Sequence, residues 1–194
     1  MAANRILTIP NVVSFIRLLG IPVFWWALLG KDDVTLAAWL VFAIGWTDWI
    51  DGYLARRLNQ VTELGKLLDP IADRLLIASA LIGGLIVGVL PPWFGWGLIA
   101  REVLVGIVAL TLAVRGGGTI EVRYIGKLAT FLLYGAIPAF YLAEASFMEW
   151  FMWPAAYLSG VVGLVLYWYV AFFYVGDSRD RLAALKSPPD PEEV

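Results

Sequence analysis

Hydrophobic residues fill long stretches of this chain, and most charged residues are collected between those stretches. Uncharged runs at residues 75–100 and 150–176 exceed the roughly 20 residues that a helix needs to cross a bilayer. Shorter apolar runs are interrupted by only one or two charges. The pattern predicts six helices, at residues 11–29, 35–57, 67–89, 93–114, 124–143 and 151–175. We therefore expect an all-α, polytopic integral membrane protein with six transmembrane helices.

Turn signals separate the predicted spans. "GKDD" at 30–33 follows the first span and "RGGG" at 115–118 ends the fourth. We expect one membrane domain over residues 1–176 and a polar C-terminal tail over residues 177–194, on the cytoplasmic side.

Predicted loops rich in lysine and arginine alternate along the chain with loops that have few of these residues. One side of the membrane would carry Arg5, Arg56, Arg57, Lys66, Arg115, Arg123, Lys127, Arg179, Arg181 and Lys186. The opposite side would carry only Lys31. By the positive-inside rule, both termini and the loops after helices two and four are cytoplasmic in this prediction. An even number of spans allows this arrangement, because it places both termini on the same side.

Composition narrows the chemistry that is available. Hydrophobic residues make up 61% of the 194 residues and charged residues only 15%, which fits a protein surrounded by membrane lipids rather than one that binds nucleic acid. The chain has no cysteine and no histidine, so disulfides, thiolate metal sites and histidine bases are excluded. Any catalysis must use carboxylates, amines, guanidinium groups or hydroxyls.

Four aspartates lie on two predicted helix stripes that a loop of about eight residues connects. The first stripe, near the cytoplasmic end of helix two, carries Asp48, Asp51, Gly52 and Ala55. The second, on helix three, carries Gly65, Asp69 and Asp73 at four-residue steps. Antiparallel neighbours joined by so short a loop would bring the carboxylates together in one pocket at the cytoplasmic face.

Clustered carboxylates repel one another and need compensating cations. Oxygen ligands favour hard divalent ions, so we predict two such ions, Mg²⁺ or Mn²⁺. Two metals held in this way suit phosphoryl transfer and could also stabilise a pyrophosphate. Two alternatives stay open here: interfacial salt bridges from the aspartates to nearby basic residues, or the ion site of an ion-coupled transporter.

The same segment, "DWIDGYLARRLNQVTELGKLLDPIAD", reads D-x2-D-G-x2-A-R-x8-G-x3-D-x3-D and resembles the signature of the CDP-alcohol phosphatidyltransferases. Further similarity to the phosphatidylglycerophosphate synthase and cardiolipin synthase branch lies in "IPNVVSFIRL", in "ARE" at 100–102 and in "YIGK" at 124–127. The resemblance covers nearly the whole chain except the tail.

The resemblance implies an enzyme that transfers a phosphatidyl group from CDP-diacylglycerol to an alcohol and releases CMP. It implies that Asp73 is the base that deprotonates the acceptor hydroxyl, and that the protein is a homodimer. The implied ligands of the two divalent ions are Asp48, Asp51, Asp69 and Asp73. The implied contacts of the cytidine diphosphate are Asp48, Asp51, Gly52, Ala55, Arg56, Gly65 and Asp69.

Basic residues outside the motif are candidates to bind a phosphate on the acceptor, and these are Arg17, Arg101, Arg123 and Lys127. Each has an alternative role. Arg101 could pair with Glu102, Arg17 could extend to the membrane interface, and the positive-inside rule alone explains the other two. A basic pocket favours glycerol 3-phosphate over inositol or serine. Phosphatidylglycerol, the acceptor of a cardiolipin synthase, stays open because it also carries a phosphate.

Overall fold

A computed structural model describes the backbone of residues 9–45, 63–116 and 124–184, with side chains for residues 14–45, 71–116 and 124–183. Within these ranges the chain is helical and contains no strand. The helices are α1 (Ile9–Trp25, continued by a π-helical turn, Trp26–Gly30), α2 (Val34–Gly45), α3 (Glu63–Val87), α4 (Pro92–Val114), α5 (Tyr124–Glu144) and α6 (Glu149–Ala184). The remainder of the predicted second helix lies outside the described residues.

Three of the described helices are long and apolar enough to cross a membrane: α4, α5 and α6. Two shorter apolar segments, Ser14–Gly30 and Val34–Gly45, belong to α1 and α2. The apolar character of these helices indicates a membrane protein, whereas the count of six spans stays a prediction.

Two helix boundaries differ from the sequence-based prediction. Helix α3 begins at Glu63 rather than residue 67, and α6 continues to Ala184 instead of ending at residue 175. The prediction ended α6 where charged residues begin, but a helix can leave an apolar environment without unwinding. Asp177 and Arg181 stand four residues apart, a spacing at which opposite charges support a helix. Helix α6 therefore extends into the segment that was predicted as a tail.

Local signals in the sequence explain where two helices start and stop. The carboxylate of Asp33 accepts a hydrogen bond of 2.8 Å from the backbone N–H of Leu36, which caps the start of α2. Gly88, just past the end of α3, has a φ of 79°, a left-handed conformation that glycine adopts without steric cost.

The described helices form two compact units. The first contains the described residues within Met1–Pro91 and Ala136–Ala156, and the second contains those within Pro92–Gly135 and Tyr157–Val194.

In the first unit, α1 packs closely on α3. A side-chain carbon built at Gly83 would lie 2.7 Å from a methyl group of Leu28 and 3.2 Å from the ring of Phe24, so glycine is what allows this approach. The hydroxyl of Tyr141 on α5 donates a 2.8 Å hydrogen bond to the backbone carbonyl of Ala80 on α3. These contacts hold α1, α3 and the end of α5 together around a buried apolar core.

In the second unit, α6 packs against α4 and α5. The indole N–H of Trp168 donates a 3.1 Å hydrogen bond to the carbonyl of Gly97 on α4. A side-chain carbon built at Gly163 would lie 3.0 Å from Leu133 of α5. Polar groups at these crossings are satisfied between helices, as an apolar surrounding requires.

Candidate active site

The aspartate signature is described at its C-terminal end. Asp48, Asp51, Gly52, Ala55 and Arg56 lie outside the described residues. Gly65 and Asp69 belong to the backbone of α3, but their side chains are not among those described. Because α3 begins at Glu63, the three motif positions on it are all helical.

Asp73 is the motif residue whose side chain is described, and its partner is an arginine from another helix. The Nη1 of Arg17, on α1, donates a hydrogen bond to Oδ1 of Asp73, on α3, within an ion pair. The Arg17 side chain is only 1% exposed, whereas that of Asp73 is 29% exposed. The structure thus brings together two residues that are 56 positions apart in the sequence.

The packing of α1 explains why Arg17 reaches this carboxylate. Arg17, Phe24 and Leu28 recur at helical spacing along one side of α1. Phe24 and Leu28 lie beside Gly83, while Arg17 lies beside Asp73, ten residues earlier on α3. Later residues of α1 contact later residues of α3, so the two helices are parallel neighbours. The side chain of Arg17 is buried where α1 packs on α3.

Arg17 was predicted as a candidate ligand for the acceptor's phosphate or as a residue that extends to the interface. The burial of its side chain contradicts the second alternative, since a side chain that reaches water would be exposed. Its role toward a phosphate stays a prediction, although its guanidinium already contacts Asp73.

Arg101, the second buried arginine, lies in the other unit. Its Nη1 donates a 2.9 Å hydrogen bond to Oε1 of Glu102, so the Arg–Glu pair considered from the sequence is present. Its guanidinium carbon lies 3.5 Å from the centre of the Tyr167 ring, and the Tyr167 hydroxyl donates to Glu102. Among the described residues, the Nε of Arg101 is buried and has no hydrogen-bond partner.

Tyr167 was not predicted as part of any site. It stands in the apolar run "GLVLYWYVAFF", where nothing in the sequence distinguishes it from the neighbouring aromatic residues. Its contact with Glu102 joins residues 65 positions apart, and only the pairing of α4 with α6 reveals it.

Lys127 is exposed on the first turn of α5. It lines an open groove of about 380 Å³ together with Gly126, Thr130, Phe131 and Tyr134 of the same helix. Arg123, the remaining candidate for the acceptor's phosphate, lies outside the described residues.

Comparison with known proteins identifies the family. The profile of a family described as CDP-alcohol phosphatidyltransferase matches residues 7–175, a range that contains the whole aspartate signature. The chain belongs to the CDP-alcohol phosphatidyltransferase family. The resemblance inferred from the motif is thereby confirmed.

Named relatives of this phosphatidyltransferase fall into two groups. A Streptomyces coelicolor protein named cardiolipin synthase (CMP-forming) is 40% identical over 189 residues, covering 93% of this chain and 87% of the relative. A Mycobacterium tuberculosis protein named probable phosphatidylglycerophosphate synthase is 41% identical over 143 residues, covering 71% of this chain and 68% of the relative. A Bacillus subtilis protein named CDP-diacylglycerol–glycerol-3-phosphate 3-phosphatidyltransferase is 34% identical over 176 residues, covering 80% of this chain and 91% of the relative.

Members of this family generally depend on divalent cations. Within the described part of the chain, no three acidic side chains lie close enough together to hold a metal ion. Three of the four predicted ligands are not among those side chains, so the predicted two-metal site stays a prediction. The Asp73 carboxylate is partly exposed and offers oxygen atoms as ligands, which suits a hard cation.

Proposed function

We propose that this phosphatidyltransferase is a phosphatidylglycerophosphate synthase, which transfers the phosphatidyl group of CDP-diacylglycerol to glycerol 3-phosphate and releases CMP. The observation that carries the proposal is the family match over residues 7–175, which encloses the complete aspartate signature. The relatives from Mycobacterium tuberculosis and Bacillus subtilis that are named for this reaction support it.

In the proposed reaction, a hydroxyl oxygen of glycerol 3-phosphate attacks the phosphorus that carries the diacylglycerol. A new O–P bond forms there, while the bond from that phosphorus to the bridging oxygen of the pyrophosphate breaks. CMP leaves with the bridging oxygen and its electron pair. The Asp73 carboxylate receives the proton of the attacking hydroxyl.

Residues earlier in the motif are proposed to bind the donor and the metals. Two divalent ions, Mg²⁺ or Mn²⁺, held by Asp48, Asp51, Asp69 and Asp73, would neutralise charge on the pyrophosphate. The cytidine diphosphate would contact Asp48, Asp51, Gly52, Ala55, Arg56, Gly65 and Asp69. Gly52 and Ala55, with small side chains or none, would leave room for the nucleotide against the backbone of the predicted second helix.

Arg101, Arg123 and Lys127 are proposed to bind the phosphate of glycerol 3-phosphate. Arg101 offers a buried Nε that has no partner among the described residues, and Lys127 offers an exposed ammonium beside a groove. Charge-assisted bonds from such groups would distinguish a phosphorylated acceptor from an uncharged one. Arg17, the fourth candidate, has a carboxylate partner in Asp73.

Cardiolipin synthesis is the second candidate function, with phosphatidylglycerol as the acceptor. The specific observation in its favour is the 40% identity to the Streptomyces coelicolor cardiolipin synthase over 93% of this chain. The open apolar groove beside Lys127 would suit a lipid acceptor better than a small soluble one.

The test is to measure CMP release from CDP-diacylglycerol by the purified protein with Mg²⁺ or Mn²⁺, offering glycerol 3-phosphate, phosphatidylglycerol or inositol phosphate separately. Phosphatidylglycerophosphate as the product would support the proposal. Cardiolipin formed only from phosphatidylglycerol would replace it with the second candidate. Absence of CMP release with every acceptor, together with ion-dependent flux into proteoliposomes, would point instead to a transporter.

The membrane arrangement and assembly are also proposals. Both termini and the aspartate motif would face the cytoplasm, because the loops with most lysine and arginine lie on that side. A homodimer, implied by the family resemblance, would be tested by measuring the mass of the purified protein in detergent by light scattering.

A further inference from the structure

Arg17 is a buried charge in an otherwise apolar helix segment, "SFIRLLGIPVFWW". Among the side chains that the structure describes, it is the largest that is fully buried, at 1% exposure. Removing a guanidinium from water is costly unless a charged partner and hydrogen bonds compensate. A membrane helix that needed only to pack would carry an apolar residue at this position. The buried charge therefore indicates a functional role for Arg17, and the residue that it pairs with indicates what that role is.

That partner is the last carboxylate of the catalytic signature. Asp73 accepts from Arg17 through Oδ1, and 29% of its side chain is exposed, so the carboxylate is held on one side without being enclosed. The preceding residue, Ala72, is fully buried, so α3 is packed at the position that carries Asp73. A charge-assisted bond from a buried arginine restricts the rotation of a carboxylate more firmly than solvent contacts do.

We propose that Arg17 is a positioning residue for Asp73. By holding Oδ1, it fixes the orientation in which the carboxylate receives the proton of the acceptor hydroxyl. It also supplies a positive charge to a motif with four carboxylates. This inference rests on the phosphatidyl transfer proposed above and on the role of Asp73 in it.

A positioning role and a phosphate-binding role for Arg17 predict different kinetics. If Arg17 positions Asp73, its loss misplaces the base and lowers kcat while the KM for the acceptor changes little. If Arg17 instead grips the acceptor's phosphate, its loss raises that KM. A residue that only packs would lower the yield or thermal stability of the protein without changing the kcat of the folded fraction.

The experiment compares Arg17→Gln and Arg17→Lys with the native protein, purified in detergent. The acceptor is the one with which the native protein releases CMP, and KM and kcat are measured for both substrates. We expect Arg17→Gln to lower kcat about 100-fold, the order of effect that a misplaced catalytic group produces. Arg17→Lys keeps the charge but loses the planar geometry, so we expect a loss of about 10-fold. In both variants the acceptor KM should stay within about threefold of native.

Arg179→Gln serves as the matched control, because Arg179 is exposed on α6 and its loss removes the same charge. It should keep native kcat. If Arg17→Gln does not yield folded protein, the kcat of Arg17→Lys decides. A native kcat in either folded variant, or an increase in acceptor KM at unchanged kcat, would overturn the proposal.

The proposed reaction and the proposed role of Arg17 are tested by different measurements. An incorrect acceptor or reaction shows itself in the native protein, before any variant is made. An incorrect role for Arg17 shows itself only in the variants, measured with whatever acceptor the native protein has been found to use.

Discussion

At the scale of single residues, the ion pair between Arg17 and Asp73 connects the proposed base with the stability of the fold. Asp73→Asn keeps the size of the side chain but removes the proposed base and the counter-charge of a buried arginine. We expect transfer to fall at least about 100-fold. We also expect the free energy of unfolding to fall by about 1–3 kcal/mol, because Arg17 loses its carboxylate. CMP release and thermal unfolding in detergent measure the two effects.

The double variant Asp73→Asn with Arg17→Gln separates these effects. The double variant also removes the buried guanidinium that lost the Asp73 carboxylate, so stability should recover much of its loss while transfer stays low. An Asp73→Asn protein that still transfers phosphatidyl groups at the native rate would contradict the role of Asp73 as base.

Tyr167 offers a second test at the residue scale. Tyr167→Phe removes the hydroxyl that donates to Glu102 but keeps the ring against which the guanidinium of Arg101 lies. We expect a loss of about 1 kcal/mol in unfolding free energy, and a larger loss for Tyr167→Leu, which also removes the cation–π contact. Thermal unfolding in detergent checks both.

Tyr169→Phe is the matched control for this test. Tyr169 stands two residues further along α6, is 50% exposed and packs its ring against Phe173. The unfolding free energy of the Tyr169→Phe protein should stay within about 0.5 kcal/mol of native. Equal losses at Tyr167 and Tyr169 would show that the contact with Glu102 contributes nothing specific.

At the scale of helices, glycines decide how closely α3 approaches its neighbours. A side-chain carbon at Gly84 would lie 2.6 Å from Leu90 and 3.1 Å from the Tyr141 hydroxyl. Gly84→Ala should therefore destabilise the protein by about 1–3 kcal/mol through overpacking. This outcome opposes the intrinsic preference of helices for alanine over glycine, which is worth about 1 kcal/mol.

Gly106→Ala gives the comparison that isolates packing. Gly106 lies within α4, and a side-chain carbon there would meet nothing within 4 Å. Alanine at this position should raise stability slightly, because only the helix preference acts. Unfolding of the two variants by heat in the same detergent gives the difference. A Gly84→Ala protein as stable as Gly106→Ala would mean that α3 has more room than its contacts indicate.

At the scale of the whole molecule, the absence of cysteine makes the membrane orientation easy to measure. Single cysteines at Lys31, in the turn before α2, and at Lys186, beyond α6, can each be labelled in intact cells with a membrane-impermeant maleimide. The positive-inside distribution predicts that the cysteine at 31 reacts from outside. The cysteine at 186 should react only after the membrane is opened. The reverse pattern would place the aspartate motif on the external side.

Much of the architecture follows from local features of the sequence. Apolar runs predicted the helices to within a few residues at most of their described ends, and the Asp33 cap and Gly88 explain two boundaries. The extension of α6 to Ala184 was missed because hydropathy reports the environment of a helix and not its hydrogen bonding. The π-helical turn at Trp26–Gly30 has no signal in the sequence that we can identify.

The spacing of aspartates and glycines in the signature was enough to suggest the family, and the profile match over residues 7–175 confirms it. What the sequence could not give is which side chains from distant helices complete the proposed site. From the sequence, Arg17 could bind the acceptor's phosphate or extend to the membrane interface, and only the packing of α1 on α3 places it beside Asp73. The same is true of Tyr167 and Glu102. Helical periodicity determines which residues share a face, but the neighbour of that face depends on how all the helices pack, and this only the tertiary structure decides.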